Sequence, residues 1–129
     1  MLEVNMVSQQ PIYEQLINQI IYGIASKMLS PGEALPSARR LSADLGINYH
    51  TVNKAYQSLS DDGYIEMDRR RTAAVSGEIP KGDSFVEELS AQLSLAAAQA
   101  KCHGMSEREF SDLAATAFRK FEEGNGGAK

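Results

Sequence analysis

The chain has 129 residues, with 13 Lys and Arg against 17 Asp and Glu, so its formal net charge at pH 7 is −4. A hydrophobic fraction of 43% and a charged fraction of 23% are typical of a globular protein and exclude a disordered or fibrous one. The single cysteine cannot form an internal disulfide, which favours a reducing, cytoplasmic compartment. No apolar run approaches a membrane span, and the N-terminus lacks the pattern of a signal peptide. We therefore expect one or two small domains and no membrane partner.

The aromatic residues divide the chain into two parts. All five tyrosines lie in the first 64 residues, whereas all four phenylalanines come after residue 84. Between them, residues 78–83 contain the glycine and proline that are typical of a linker. We expect a first domain at 8–77, a helical region at 84–123 and a disordered tail at 124–129.

The first domain opens with an amphipathic helix. Apolar side chains recur every four residues from Ile12 to Met28, which is the spacing of one helix face. Pro11 is suited to the first helical position, and Pro31 must end the helix. A short second helix follows, for which Ser37 supplies the cap.

A glycine turn and a third helix come next. Gly46 allows a tight turn, and Asn48 is a good cap residue for a helix that ends near Gly63. Residues 64–67 and 72–75 have the composition of two short strands joined by a basic turn. This order of elements predicts a mainly α fold with a small β-hairpin, a winged helix-turn-helix.

Polar residues occupy the surface that this motif presents to DNA. A helix-turn-helix places the first residues of its second helix against base edges in the major groove, and the wing reaches the adjacent backbone or minor groove. Asn, Thr and His can hydrogen-bond base edges, and Arg can reach a phosphate or a guanine. The candidate DNA-binding residues are Ser37, Arg39, Arg40, Tyr49, His50, Thr51, Asn53, Lys54, Arg69, Arg70 and Arg71.

Each of these residues also has a simpler interpretation. A single Arg or Lys is about as often a solvated surface charge, and the three arginines of the hairpin could discourage edge pairing. Their coincidence on one surface favours binding to double-stranded DNA. The alternative is a winged helix that docks another protein. Such a module would show no loss of duplex affinity between low and high salt, because its binding would release no counterions from DNA.

The run from Pro11 to Glu66 resembles the DNA-binding domain of the GntR family of bacterial transcription regulators, most specifically in PIYEQL, LSPGEALPSARRLSADLGI and TVNKAYQSLSDDGYI. The resemblance implies that DNA is contacted by Arg39, by the recognition positions Tyr49, His50, Thr51 and Asn53, and by Arg69 and Arg70 at the wing tip. The family usually carries Arg where Tyr49 stands. It also carries glycines in the wing turn, and without them we expect this turn to widen or change type.

The second half contains two helical segments. Ser84 with Glu87 has the pattern of a capping box, and Ser106 with Glu109 has a clearer one. Two helices of this length cannot bury their apolar faces against each other alone, so we expect a second subunit to cover them. The alternative is that the helical hairpin folds back on the first helix of its own subunit. The candidate dimerisation residues are Phe85, Leu89, Leu93, Ala96, Phe110, Leu113, Ala117, Phe118 and Phe121.

A C-terminal region this short and helical resembles the YtrA-like branch of the family, which implies a homodimeric repressor that binds an inverted-repeat operator. Another branch carries an aminotransferase-like domain that binds pyridoxal phosphate, but that domain needs several hundred residues. The sequence contains no phosphate loop, nucleophile arrangement or metal-ligand spacing, so we expect no enzyme, cofactor or metal. A small-molecule effector would have to bind in the helical hairpin or between subunits.

Overall fold

In the computed structural model, which describes residues 2–70 and 72–127, the chain divides into two compact units, Met1–Ile79 and Pro80–Lys129. The boundary lies inside the expected linker 78–83. In chain order the described elements are α1 Ile12–Ala25, α2 Ala38–Leu45, α3 Tyr49–Asp61, β1 Ile65–Met67, β2 Ala73–Val75, α4 Asp83–Cys102 and α5 Glu107–Gly127. The predicted mainly α fold with a winged helix-turn-helix is confirmed.

The core of the first unit lies between its three helices and the two strands. Fully buried side chains come from α1, α3 and both strands, namely Leu16, Ile20, Val52, Tyr56, Leu59, Ile65 and Val75. Leu41 and Ala38 add the buried face of α2. Because this cluster fixes one face of every helix, the polar side chains on the opposite faces are held in defined positions.

The first helix ends earlier than its apolar pattern predicts. The periodicity runs to Met28, but α1 ends at Ala25 and Met28 is 71% exposed. Lys27 has a φ of 66°, a left-handed conformation that cannot continue a helix, and the N–H of the half-buried Leu29 donates to the Gly23 carbonyl. The prediction that Pro11 occupies the first helical position is also wrong, since Pro11 is the cap residue before α1.

The N-terminal segment packs along α1, which the sequence analysis did not predict. Leu2 and Val4 pack against the core cluster. The side-chain amide of Gln19 exchanges hydrogen bonds with the backbone of Glu3, and the Gln15 amide accepts from the N–H of Asn5 at 2.7 Å. Two helical glutamines therefore give this segment the backbone partners that a neighbouring strand would otherwise supply.

The predicted hairpin is confirmed and gains a third segment. β1 and β2 are antiparallel, with Glu66 opposite Ala74. On the other edge of β2, Ala34 forms an isolated bridge to Ala74, and the N–H of Leu35 donates to the Ala73 carbonyl at 2.8 Å. This extra pairing ties the hairpin to the segment that leads into α2.

In the second unit, the first predicted capping box is wrong. α4 begins at Asp83 after Gly82, which makes no side-chain cap bond, so Ser84 lies inside the helix rather than at its cap. The negative charge of Asp83 in the first turn suits the positive end of the helix dipole and favours this earlier start.

The second capping box is confirmed. The N–H of Ser106 donates to Glu109 Oε1 at 2.8 Å, and the N–H of Glu109 donates to Ser106 Oγ at 3.1 Å. α5 continues to Gly127, beyond the predicted end at 123. Of the tail predicted to be disordered, 124–127 thus has helical backbone, and 128 and 129 lie outside the described residues.

Candidate nucleic-acid interface

The helix-turn-helix is fixed by caps at both helix starts and by one glycine between them. Ser37 Oγ accepts from the N–H of Arg40 at 3.1 Å, and Asn48 Oδ1 accepts from the N–H of His50 at 2.7 Å. Gly46 has a φ of 69°, and the N–H of Ile47 donates to the carbonyl of Ser42 at 3.1 Å. Both predicted caps and the predicted glycine turn are confirmed, so the angle between α2 and α3 is set by local hydrogen bonds.

A buried tyrosine ties α3 to the segment before α2. The Tyr56 hydroxyl donates to the carbonyl of Pro36 at 2.7 Å, and the residue is fully buried. Burial raises the pKa of Tyr56 to about 12, because the phenolate would lose its hydration in the core. The bond holds the residue next to the Ser37 cap, so it positions the start of α2 from the core side.

The outer face of α3 is polar. His50, Lys54 and Gln57 are exposed, and Thr51 and Asn53 are half-buried. The opposite face is committed to the core, so these side chains are the ones that α3 can offer to a partner. The predicted recognition positions therefore share one end of one helix.

Arg39, Tyr49 and His50 are brought together where α2 and α3 meet. The Cζ atom of the exposed Arg39 lies 4.8 Å from the centroid of the Tyr49 ring, which is a cation–π contact. The rings of Tyr49 and His50 meet edge to face, with centroids 5.5 Å apart. Tyr49 itself is half-buried and packs against the core cluster.

Two further cations of the site have defined partners. Lys54 Nζ lies 5.1 Å from the centroid of the Tyr13 ring, at the start of α1. Arg40 Nε lies 3.6 Å from Asp44 Oδ2, one turn along α2. Both members of this ion pair are mostly exposed, so it contributes little to stability, although it does engage donors of the Arg40 guanidinium.

The wing turn is closed by an aspartate instead of a glycine. Asp68 Oδ1 accepts from the N–H groups of Arg70 and Thr72, both at 2.9 Å. The N–H of Asp68 also donates to the Thr72 carbonyl at 3.1 Å. An aspartate before a turn is a sequence signal for this closure. The expectation for the wing turn considered only its missing glycines and did not use this signal. Arg69 and Arg70 are exposed on the turn, and Arg71 lies outside the described residues.

With this geometry in view, comparison with known proteins identifies the family. Residues 9–75 match the family described as bacterial regulatory proteins, gntR family. The chain belongs to the GntR family. The HTH-type transcriptional repressor YtrA of Bacillus subtilis is 38% identical over 76 residues, which cover 59% of this chain and 58% of that protein. The matched segment thus spans little more than half of that relative.

Two solved structures extend the likeness beyond the first unit. A crystal structure of a transcriptional antiterminator from Listeria monocytogenes EGD-e has a TM-score of 0.84 at 26% identity, and covers 94% of this chain and 92% of that chain. YtrA from Sulfolobus acidocaldarius, a GntR-family transcription factor, has a TM-score of 0.63 at 38% identity, over 75% and 97% of the two chains. The expected GntR family and the resemblance to its YtrA-like branch are confirmed.

The second unit of this GntR regulator exposes apolar side chains along both helices. Among the predicted dimerisation residues, Leu93 is 53%, Leu113 is 60% and Phe118 is 75% exposed. Phe85, Leu89 and Ala117 are also exposed, and Ala96, Phe110 and Phe121 are half-buried. Val86 and Leu95 are exposed as well, although the sequence analysis did not select them. Within the second unit, α4 and α5 therefore leave much of this apolar surface uncovered.

Other kinds of site find little support in the GntR chain. Within residues 2–70 and 72–127, no group of three His, Cys, Asp or Glu side chains could hold a metal ion. Over the same residues, no helix has the length and apolar character that crossing a bilayer requires. A cavity of about 220 Å³ lies past the end of α1, and apart from Lys27 and Ser76 its lining is apolar or glycine, formed by Ile24, Leu29, Pro31, Val75, Gly77 and Ile79.

Proposed function

We propose that this GntR protein is a sequence-specific DNA-binding repressor that acts in the cytoplasm as a homodimer on an inverted-repeat operator. The observation that carries the proposal is the polar outer face of α3, which is fixed by the Asn48 cap and flanked by the cations of Arg39 and Lys54. A capped helix with one buried and one polar face after a glycine turn is suited to the major groove.

The roles of the individual side chains follow from their chemistry. Asn53, Thr51 and His50 can hydrogen-bond base edges, and Arg39 can reach guanine or a phosphate from the first turn of α2. Contacts with the DNA phosphates would come from the remaining candidates, which are Ser37, Arg40, Lys54, Arg69, Arg70 and Arg71. In this arrangement α3 and Arg39 supply selectivity, and the wing and the other contacts of α2 supply register and affinity.

The charge distribution supports selective rather than general binding. Residues 1–78 contain seven Lys and Arg, and six of them are candidate interface residues. The same residues contain nine Asp and Glu, so the unit has no net excess of positive charge. Counterion release alone then provides limited affinity, and base contacts made by two subunits must provide the rest.

The exposed apolar residues of α4 and α5 support a homodimer. A second copy of the same helices would cover Leu93, Leu113 and Phe118 with matching apolar surface. A two-fold dimer carries two copies of α3, which would read half-sites one helical turn of about 34 Å, or a multiple of it, apart. The Bacillus subtilis relative is named a repressor, and we extend that role to this chain as part of the proposal.

The proposal is tested by measuring the affinity for duplexes selected from a random pool, by fluorescence polarisation over a salt series. We expect binding that weakens steeply with salt, and a loss in Arg39→Ala with no change in helix content. Lys27→Gln is the matched control, because it removes one positive charge from the same unit just beyond the C-terminal end of α1, which lies about 18 Å along the helix from Tyr13.

A protein-docking module would give different results. It would show no salt-dependent affinity for any selected duplex, and Arg39→Ala would then behave like Lys27→Gln. The absence of salt-dependent binding contradicts the proposed DNA-binding function, and an unaltered affinity of Arg39→Ala for a bound duplex removes Arg39 from the site.

A further inference from the structure

The Tyr49 ring stands against the guanidinium of Arg39 across the turn between α2 and α3, with Cζ 4.8 Å from the ring centroid. The backbones of both residues are fixed. Arg39 lies in the first turn of α2 behind the Ser37 cap, and Tyr49 is the first residue of α3 behind the Asn48 cap. The short turn at Gly46 therefore sets the distance between them.

The two side chains differ in freedom. Tyr49 is half-buried, packs against the core cluster and meets the His50 ring edge to face. Arg39 is exposed, and a long exposed side chain otherwise samples many rotamers. The ring is thus the fixed partner, and the attraction between its negative face and the cation restricts Arg39.

The contact with the ring leaves hydrogen-bond donors of Arg39 available. A guanidinium carries five N–H donors, and the face of an aromatic ring holds no oxygen or nitrogen acceptor to occupy them. The neighbouring Arg40 is held differently, because its Nε lies 3.6 Å from Asp44 Oδ2 and a carboxylate occupies the donors themselves. Of these two arginines, Arg39 is the one held in place with a free donor edge.

We propose that Tyr49 is a positioning residue for DNA recognition, which orients Arg39 toward its base and does not itself read one. This inference rests on the proposed DNA-binding function. It assigns Tyr49 a role different from that of the base-reading recognition position at which the sequence places it. It also predicts that Arg39 and Tyr49 act as one unit, so that the effect of changing Tyr49 depends on the presence of Arg39.

The test compares Tyr49→Phe, Tyr49→Leu, Arg39→Ala and the double variant R39A/Y49L on the selected operator. Phe keeps the ring, and Leu keeps apolar packing without a π face. From a cation–π attraction of the usual exposed size, Tyr49→Leu should lose about 2- to 5-fold in affinity per half-site. With two half-sites the losses multiply to about 4- to 25-fold on the whole operator.

Three further results are expected. Tyr49→Phe binds within about twofold of the unchanged protein, because the ring and not the hydroxyl matters. Tyr49→Leu relaxes the preference at the same base pair as Arg39→Ala. R39A/Y49L binds no more weakly than Arg39→Ala alone, since Tyr49 acts through Arg39.

A readout without DNA separates the inference from the function on which it rests. In the free protein, NMR should show the Arg39 Nε–Hε resonance shifted by the ring current, and the shift should vanish in Tyr49→Leu. Additive losses in R39A/Y49L, or a Tyr49→Phe as weak as Tyr49→Leu, would overturn the inference by showing that Tyr49 contacts DNA itself. An unshifted Arg39 resonance, or unchanged binding by Tyr49→Leu, would also overturn it while the proposed function stands. A protein that binds no duplex overturns the proposed function, and this inference with it.

Discussion

Removing the hydroxyl of Tyr56 should loosen the start of α2 and abolish the part of the pH dependence of stability that this group contributes above pH 10. The hydroxyl donates to the Pro36 carbonyl at 2.7 Å inside the core, so Tyr56→Phe leaves that carbonyl without this donor. We expect the free energy of unfolding at pH 8 to fall by about 1–2 kcal/mol. Tyr22→Phe removes a hydroxyl from a side chain that is 54% exposed and should change it by less than about 0.5 kcal/mol.

The pKa of Tyr56 gives this prediction a second, independent part. Burial raises that pKa to about 12, whereas an unfolded tyrosine titrates near 10. A folded pKa above the unfolded one means that the stabilisation is complete below pH 10 and is lost as the pH rises toward 12. The loss is about 1 kcal/mol at pH 11, about 2 at pH 11.5 and about 3 when complete.

Urea unfolding of the wild type, Tyr56→Phe and Tyr22→Phe at several pH values between 8 and 11.5 measures both parts. All other titrating groups are shared, so they cancel in the difference between two variants. The advantage of the wild type over Tyr56→Phe should shrink above pH 10 and vanish near pH 11. A difference that stays constant over this range would refute the reasoning, because Tyr56 would then titrate alike in both states.

Three further changes test the wing, the turn and the second unit. Asp68→Ala should speed amide hydrogen exchange at Arg70 and Thr72 and weaken operator binding. Asp68→Asn keeps an acceptor oxygen and should change neither the exchange nor the binding. Equal exchange rates in the two variants would contradict the closure of the wing turn by Asp68. Gly46→Ala meets no atom within 4 Å, so its cost is the left-handed backbone alone, about 1–2 kcal/mol. Calorimetry should show a Tm lower by about 5–15 °C. An unchanged Tm would refute the argument that the left-handed backbone at this position requires glycine. Leu93→Glu should shift sedimentation equilibrium to the monomer, and an unchanged mass would argue against a dimer through α4.

Most of the helix starts could be predicted because their determinants are local. Ser37 and Asn48 each place a side-chain oxygen within reach of an N–H two or three residues later, and no distant contact is needed. Ser84 has the same chemistry, but the cap of α4 lies two residues earlier, at Gly82. Where two candidate caps lie within one turn of each other, a charge in the first turn such as that of Asp83 can outweigh a cap side chain, and the capping pattern alone does not rank them.

The contacts that shape the candidate interface depend on tertiary structure. Arg39 and Tyr49 are ten positions apart in the sequence, and Lys54 and Tyr13 are 41 positions apart. Motif spacing places these cations on one surface but carries no information on the rings that they meet. The helical Gln15 was missed for the same reason, because a glutamine that holds a backbone segment has the same sequence context as one in solvent.

The pairing of cations with tyrosines explains how an acidic chain could recognise DNA. A long side chain that becomes ordered on binding costs about 0.5–1.5 kcal/mol, and an excess of Lys and Arg can offset that cost by electrostatic attraction. This protein has a net charge of −4 and lacks that excess. Arg39 on Tyr49 and Lys54 on Tyr13 are already restricted before any partner arrives, so less ordering remains to be done on binding. Preorganisation of these few cations then adds to the affinity that the base contacts of two subunits supply at the interface that we propose.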